Sequence, residues 1–534
     1  MGTESSSLPP LIRAMMHADF YPHRADSVEL RQTHISYALL AGDYVYKVKK
    51  PVRFAFIDYS TLEQRRHFCH EEIRLNRRLA PAVYLDVHAI VQNGRRFALR
   101  ESVSEGKQVF EYAVKMRRLP EEHFLDRLIK EGNARKGDLD RIAKKLAKFY
   151  ATAATEKAPL YGSSEVIRRN LEKNVKEVEP FIGDTLTSEE FRAIRGYNNN
   201  FLAHHGDLLE MRVRDKRVRE GHGDLRAEHI CLEDDPVIFD CIEFNEEFRY
   251  GDAASEMAFI SMDLDFLGAP LLSEYLVTSF QLLTQDPELL RLLPLYKGYR
   301  ACVRGKVESL KSRESEVPEA ERSEAKRRAR RYFHLAHRYA SGPLPPALLI
   351  VCGLVGSGKS TIARSIGART GYQILNSDVI RKQLAGIPLT SHSTEGYGKG
   401  LYNESFNALT YDTLLKQAEE CLKSGRGVIV DATFKDPQDR RKFMELSSRL
   451  PVPVLFVECR ASEEKALERL KQRQQRTAEV SDATVAVYLR QREEFVPLTE
   501  VPDSKRIIVT TEDDPDQATG QVLQSLHRLL ASRK

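Results

Sequence analysis

Cysteine is scarce and unpatterned in this chain of 534 residues. Cys69, Cys231, Cys241, Cys302, Cys352, Cys421 and Cys459 are scattered, odd in number and lack the close pairs of a metal-binding site. That excludes a disulfide framework and fits the reduced thiols of a cytosolic protein. Long apolar runs are also missing. None approaches the roughly 18 residues that a membrane-spanning helix needs, and the polar N-terminus carries no apolar core of signal-peptide length. The expectation is a cytoplasmic protein with no membrane partner. Nor is one sign of charge in large excess: a net +5 and a pI near 8.6 are mild for this size and do not by themselves argue for nucleic acid. What is present is 42% hydrophobic and 30% charged residues, the balance of a globular chain. Its length exceeds one ordinary core, so two to four domains are expected.

The clearest joint is Ser341-Gly342-Pro343-Leu344-Pro345-Pro346, where prolines and a glycine break any helix. Ahead of it, Ala320 to Tyr339 reads as a long helix rich in Lys326, Arg327, Arg328, Arg330 and Arg331, with a basic face expected to be solvated. Beyond the joint, short apolar segments (348–351, 373–375, 428–430, 452–458 and 506–510) alternate with helical stretches such as 404–423, 437–449 and 463–473. This alternation predicts a parallel sheet covered on both faces.

The first of those strands runs into Gly353-Leu354-Val355-Gly356-Ser357-Gly358-Lys359-Ser360-Thr361. The pattern is G-x-x-x-x-G-K-S between a strand and a helix, the context a phosphate-binding P-loop requires. Its glycines let successive N–H groups surround an anion, and the helix adds its positive end. Lys359 is expected on the β- and γ-phosphates of ATP, and Ser360 on Mg²⁺. The second strand ends in Asn376-Ser377-Asp378, with Arg381 following. Groups at the carboxyl ends of strands face the ligand crevice, which suits Asp378 as the base for an acceptor hydroxyl and Arg381 beside it. The strand Val428-Ile429-Val430 ends in Asp431, placed to support Mg²⁺. Arg469, Arg473 and Arg476 lie on or after the helix at 463–473, where lid arginines neutralise a transferring phosphoryl group. Residues 347–534 thus resemble the small-molecule and polynucleotide kinase branch of the P-loop enzymes, which includes zeta-toxin-like kinases, chloramphenicol phosphotransferase and gluconate kinase. The resemblance implies ATP-dependent phosphorylation of a hydroxyl and leaves the acceptor open.

Upstream lies Gly221-His222-Gly223-Asp224-Leu225-Arg226-Ala227-Glu228-His229-Ile230, then Val237-Ile238-Phe239-Asp240. This resembles the catalytic loop and metal-binding Asp of aminoglycoside phosphotransferases and related protein-kinase-like folds. The resemblance implies Asp224 as base and Asp240 on metal, with His229 standing in the position of a metal-binding Asn. Imidazole is a poor match for Mg²⁺, which prefers oxygen. A second His205-Gly206-Asp207 lacks the following strand and reads as helix or loop surface. Such folds also need a strand lysine held by a helix acid. Alternation in Tyr44–Lys49 puts Lys47 and Lys49 on one face, and Thr61 to Glu63 opens a helix carrying Glu71 and Glu72. Lys47 with Glu72 is the preferred pair; Lys49 and Glu71 are alternatives. Tyr112–Met116 is read as the hinge beneath adenine.

The fold expected is therefore two domains. The N-terminal one is α+β, bilobal and protein-kinase-like, of the aminoglycoside phosphotransferase type; the C-terminal one is an α/β P-loop kinase with a parallel sheet. Expected boundaries are an extension at 1–27, a first lobe at 28–118, a second lobe and connecting helix at 119–340, a linker at 341–346 and the P-loop domain at 347–534. The whole resembles bacterial bifunctional aminoglycoside phosphotransferase-like/P-loop proteins. The function read is an ATP- and Mg²⁺-dependent phosphotransferase acting on a hydroxyl-bearing substrate. Alternatives are a non-catalytic N-terminal module, or a nucleic-acid 5′-hydroxyl kinase, which the modest charge does not favour. Oligomeric state is left open.

Overall fold

The alternation in Tyr44–Lys49 is realised as the second strand of a hairpin with Ser36–Ala41, and a mixed α+β unit is built around it. The computed structural model describes residues 8–54, 57–94, 96–101, 108–342, 344–387, 400–474, 485–512 and 515–531. Its first strands are β1 (Val28–Gln32), β2 (Ser36–Ala41) and β3 (Tyr44–Lys49). A short hairpin, β4 (Arg53–Phe54) and β5 (Ile57–Asp58), and the helix Leu62–Asn76 follow, then β6 (Tyr84–Asn93), β7 (Arg96–Arg100) and β8 (Val109–Arg117). Six of these form an antiparallel sheet in the order β1-β2-β3-β8-β6-β7. The period of two sends Tyr46 and Val48 to one face, where Leu11, Ile12 and Met15 of the helix Pro10–Met15 cover them. It sends Lys47 and Lys49 toward the helix Leu62–Asn76. Thr61 caps that helix by accepting from the Gln64 N–H, and Leu75 and Leu79 are buried. Tyr112–Met116 is no hinge. It lies inside β8, paired to β3 on one side and to β6 on the other, and the chain leaves the sheet only after Arg117.

Helices follow, among them Lys136–Thr152, and four short strands: β9 (Val218–Glu220), β10 (Ile230–Cys231), β11 (Val237–Ile238) and β12 (Tyr250–Asp252). They pair as β9 with β12 and β10 with β11. His205 sits inside the helix Ser188–Arg214, at a residue with non-helical backbone angles.

The second fold is a five-stranded sheet of β13 (Leu348–Cys352), β14 (Gln373–Asn376), β15 (Val428–Asp431), β16 (Val454–Arg460) and β17 (Arg506–Thr510). Its order is β14-β15-β13-β16-β17, and every pair is parallel. Both faces are covered, which is why all five residues of β13 are apolar and buried. Helices Lys359–Thr370 and Pro515–Ala531 pack one face; Glu404–Lys423 and Pro437–Arg449 pack the other. The expected α/β architecture is present.

By its contacts the chain divides into two compact units. One comprises residues up to Lys173 with Asn199–Leu264 and Leu272–Lys297; the other comprises Asn174–Asn198, Asp265–Leu271 and everything from Gly298. Residues 341–346 thus lie within the second unit. So does the long helix Glu319–Ser341, whose basic face remains largely exposed, as at Arg327, while several of its side chains also find partners. Lys326 pairs with Asp184 at 2.6 Å, Arg328 with Glu308 at 2.8 Å, and Arg331 donates to the Phe266 carbonyl at 2.7 Å. Among the described residues, no helix is long and apolar enough to cross a membrane.

Candidate active site

Strand register brings the C-terminal groups together. Asn376 at the end of β14 lies beside Asp431 at the end of β15, and Asp431 beside Val351 of β13, from which the P-loop springs. The loop turns on positive φ at Gly353, Gly356 and Gly358. A Cβ on Gly358 would lie 2.9 Å from Thr511 Oγ1 and 3.3 Å from the Arg469 guanidinium, so only glycine fits there. Lys359 opens the helix and folds back, its Nζ donating to the Leu354 carbonyl at 2.8 Å. Val355 and Leu354 pack against Ala466, Leu470 and Tyr488. Ser357 is buried, Ser360 and Thr361 begin the helix, and Ser357 N–H closes a turn onto Leu354 at 3.2 Å.

Asp431 is buried and accepts from Asn376 Nδ2 at 2.7 Å and from the Ser360 hydroxyl. Burial raises its pKa above the ordinary carboxylate value; Lys359 and these hydrogen bonds oppose the rise. A buried carboxylate beside a hydroxyl is a donor pair of the hard-oxygen kind that Mg²⁺ takes, so these residues fit the cation. Asn376 also caps the next helix, accepting from the Asp378 and Val379 N–H groups at 3.0 Å each. The cap places Asp378 in the first turn of that helix, where Arg381 donates to it at 2.9 Å. Arg381 is buried, donates to Asn407 Oδ1 at 2.9 Å and lies over the Tyr402 ring.

Arg469 does not face the cradle's interior. It donates to the Gly356 carbonyl at 3.3 Å and to Thr511 Oγ1 at 3.1 Å, and so braces the loop from outside. Arg473 lies on the helix Glu463–Gln474, its side chain outside the described residues; Arg476 is wholly outside them. Asn407, Tyr402, Thr511 and Gln491 join the site without any motif in the sequence to announce them. Asp439, in the first turn of the helix Pro437–Arg449, carries a pKa pushed up to about 6 by burial and then by Asp436.

In the N-terminal unit Lys47 meets Glu72 at 2.8 Å and Asp240 at 2.7 Å. Lys49 reaches the other oxygen of Glu72 at 2.7 Å and also pairs with Glu243, so both lysines share one fully buried acid. Glu71 instead pairs with Arg74. Burial alone would raise Asp240 and Glu72, but the neighbouring lysines hold both below the usual carboxylate range. The loop from Gly221 is anchored from the helix Ala253–Phe266. Glu256 accepts from the His222 and Gly223 N–H groups at 2.9 and 3.0 Å, and Asp263 from Ala227 N–H at 2.9 Å. These two acids serve the loop's shape rather than a cationic substrate.

Arg226 occupies the centre of that loop. It donates to both oxygens of Asp224, at 3.0 and 2.9 Å, and pairs with Glu228. Its third partner is His229 Nε2 at 3.2 Å. His229 Nδ1 donates to the Asp224 carbonyl at 2.8 Å, which leaves Nε2 as the acceptor facing Arg226. Burial, reinforced by Arg226, lowers the imidazole to about 4, so it stays neutral. A divalent cation does not fit this arrangement. The imidazole lone pair and both Asp224 oxygens already face a guanidinium, and Lys47 holds Asp240. Among the described residues no group of three or more His, Cys, Asp or Glu is arranged to hold a metal ion.

Residues 348–498 match a family described as an AAA domain. The "uncharacterized protein" Rv2004c of Mycobacterium tuberculosis (strain H37Rv) is 30% identical over 465 residues, which is 86% of this chain and 90% of that one. Mb2027c of Mycobacterium bovis matches to the same extent. Among solved structures, a gluconokinase from Sinorhizobium meliloti is similar at 19% identity over 36% of this chain and 97% of its own, with a TM-score of 0.26. A Ralstonia eutropha chain named provisionally as an aminoglycoside phosphotransferase is similar at 13% identity over 60% of this chain and 95% of its own, with a TM-score of 0.36.

Proposed function

The chain belongs to the family of the mycobacterial protein Rv2004c, and we propose that its P-loop unit is an ATP-dependent phosphotransferase acting on a hydroxyl. The observation that carries this reading is the convergence of Lys359, Ser360, Asp431 and Asp378 on the carboxyl edge of one parallel sheet. The loop backbone and Lys359 bind the phosphates. Ser360 and Asp431 would hold Mg²⁺, which when bound neutralises phosphate charge. Asp378 takes the proton of the acceptor hydroxyl, oriented by its Asn376 cap and by Arg381.

Exchanging Asp378 for Asn keeps the cap but removes the base. Transfer from γ-labelled ATP to sugars, nucleosides and 5′-hydroxyl oligonucleotides should fall at least about 100-fold, with ATP still bound. Undiminished transfer by Asp378→Asn would refute the assignment.

Arg226 favours a second reading for the other unit, namely a kinase-shaped module without transfer. Both Asp224 oxygens already accept from the Arg226 guanidinium, and Lys47 holds one oxygen of Asp240. Lys47 and Glu72 then serve to hold the sheet against its helix. Asp224→Asn should leave phosphate transfer by the full chain unchanged.

A further inference from the structure

The peptide between Leu354 and Val355 is gripped from two sides. Its carbonyl accepts from Lys359 Nζ at 2.8 Å, and its N–H donates to Gln491 Oε1 at 3.1 Å. In a trans peptide the oxygen and the hydrogen point in opposite directions. The lysine therefore lies on the cradle side and Gln491 on the outer side. Only the oxygen of a carboxamide accepts, so the N–H itself fixes how the Gln491 amide is turned. Further along the loop the peptides are held from outside by their carbonyls instead. Arg469 takes the Gly356 carbonyl at 3.3 Å, and Thr511 Oγ1 takes the Ser357 carbonyl at 2.7 Å. Gln491 belongs to the helix Val485–Glu494, whose Tyr488 packs with Leu354 and Val355.

We propose that Gln491 is a positioning residue of the nucleotide site: it keeps the Leu354 carbonyl turned inward and so parks the Lys359 ammonium in the cradle before a polyphosphate arrives. A phosphate oxygen then replaces the carbonyl as the lysine's partner, with the loop already in its binding conformation. This rests on the P-loop reading above and adds to it a residue about 130 positions away that no P-loop pattern contains. Gln491 acts beside the Ser357 N–H, which also donates to the Leu354 carbonyl at 3.2 Å, and preorganisation of this kind lowers the ordering cost of binding.

The test uses the full chain and the pair Gln491→Met and Gln491→Glu. Methionine keeps length and loses the acceptor; glutamate keeps the acceptor. Lys359 reactivity is read in nucleotide-free protein by acetic anhydride labelling and mass spectrometry, and ATP affinity by calorimetry. In Gln491→Met, labelling of Lys359 should rise and ATP affinity should fall, each by about three- to tenfold, the scale of one hydrogen bond. In Gln491→Glu, labelling should stay within about twofold of wild type, since the acceptor is kept. Unchanged labelling in the methionine variant, or equal labelling in both variants, overturns the proposal while leaving the P-loop reading intact. A wild-type chain that binds no ATP overturns both. Should Gln491→Met lose its melting transition, Gln491→Lys also lacks an acceptor and takes the same labelling test.

Discussion

Asp439 shows how far burial, helped by neighbouring carboxylates, moves a side chain in this protein. Desolvation, followed by the nearby Asp436 and Asp412, brings its carboxyl to about 6 against the opposing pull of Lys442 and Arg440. The folded-state value lies above the unfolded one, so the group's stabilising contribution is present below about pH 4 and is lost as pH rises through 6. Asp439→Asn removes that loss. Its melting temperature should exceed that of wild type by about 2 °C at pH 8 and match it at pH 4; equal melting at both would show the carboxyl to be solvated. None of this was legible in the sequence, because the desolvation comes from packing and Asp412 belongs to another helix. Arg226 is a similar case. Its place in the loop was plain, but its turn back onto Asp224 and His229 depends on a shape set by Glu256 and Asp263 from a distant helix. Asp431 does end an apolar strand, as its pattern suggests. Asp378, read as the end of its strand, lies in the first turn of the next helix because the strand stops at Asn376.

At the scale of elements, the strands and helices of the P-loop unit followed from period and composition. The helices Glu404–Lys423 and Pro437–Arg449 have the bounds their patterns suggest. The partners of the helix Glu319–Ser341 were not readable, because its arginines find them far away in sequence. A further contact of this kind secures the segment after β15. Arg440 is fully buried and donates to the carbonyls of Phe434 at 2.7 Å, Val496 at 3.0 Å and Pro497 at 3.3 Å, while also pairing with Glu500. It thereby ties the start of the helix Pro437–Arg449 to residues 496–500, and Phe434 holds a positive φ between them. Arg440→Met leaves those carbonyls and Glu500 without their donor and should cost about 3 kcal/mol. Urea unfolding checks this, and a change below about 1 kcal/mol would mean that water replaces the guanidinium.

The whole molecule carries two candidate sites that differ in how their charges are met. In the P-loop unit Lys359 donates to a backbone carbonyl and offsets the burial of Asp431, and Asp378 pairs with Arg381. In the N-terminal unit, Lys47, Lys49, Asp224 and Asp240 each have an internal counter-ion. The expectation of two kinases came from motif resemblance, and resemblance does not report whether the charges of a site are already satisfied. The central claim is that transfer belongs to the P-loop unit. The most direct measurement is phosphate transfer from γ-labelled ATP by the full chain beside Lys359→Ala and Asp224→Asn, each checked for intact folding. The account predicts that Lys359→Ala abolishes transfer and that Asp224→Asn matches wild type; transfer that survives Lys359→Ala and vanishes in Asp224→Asn would contradict it.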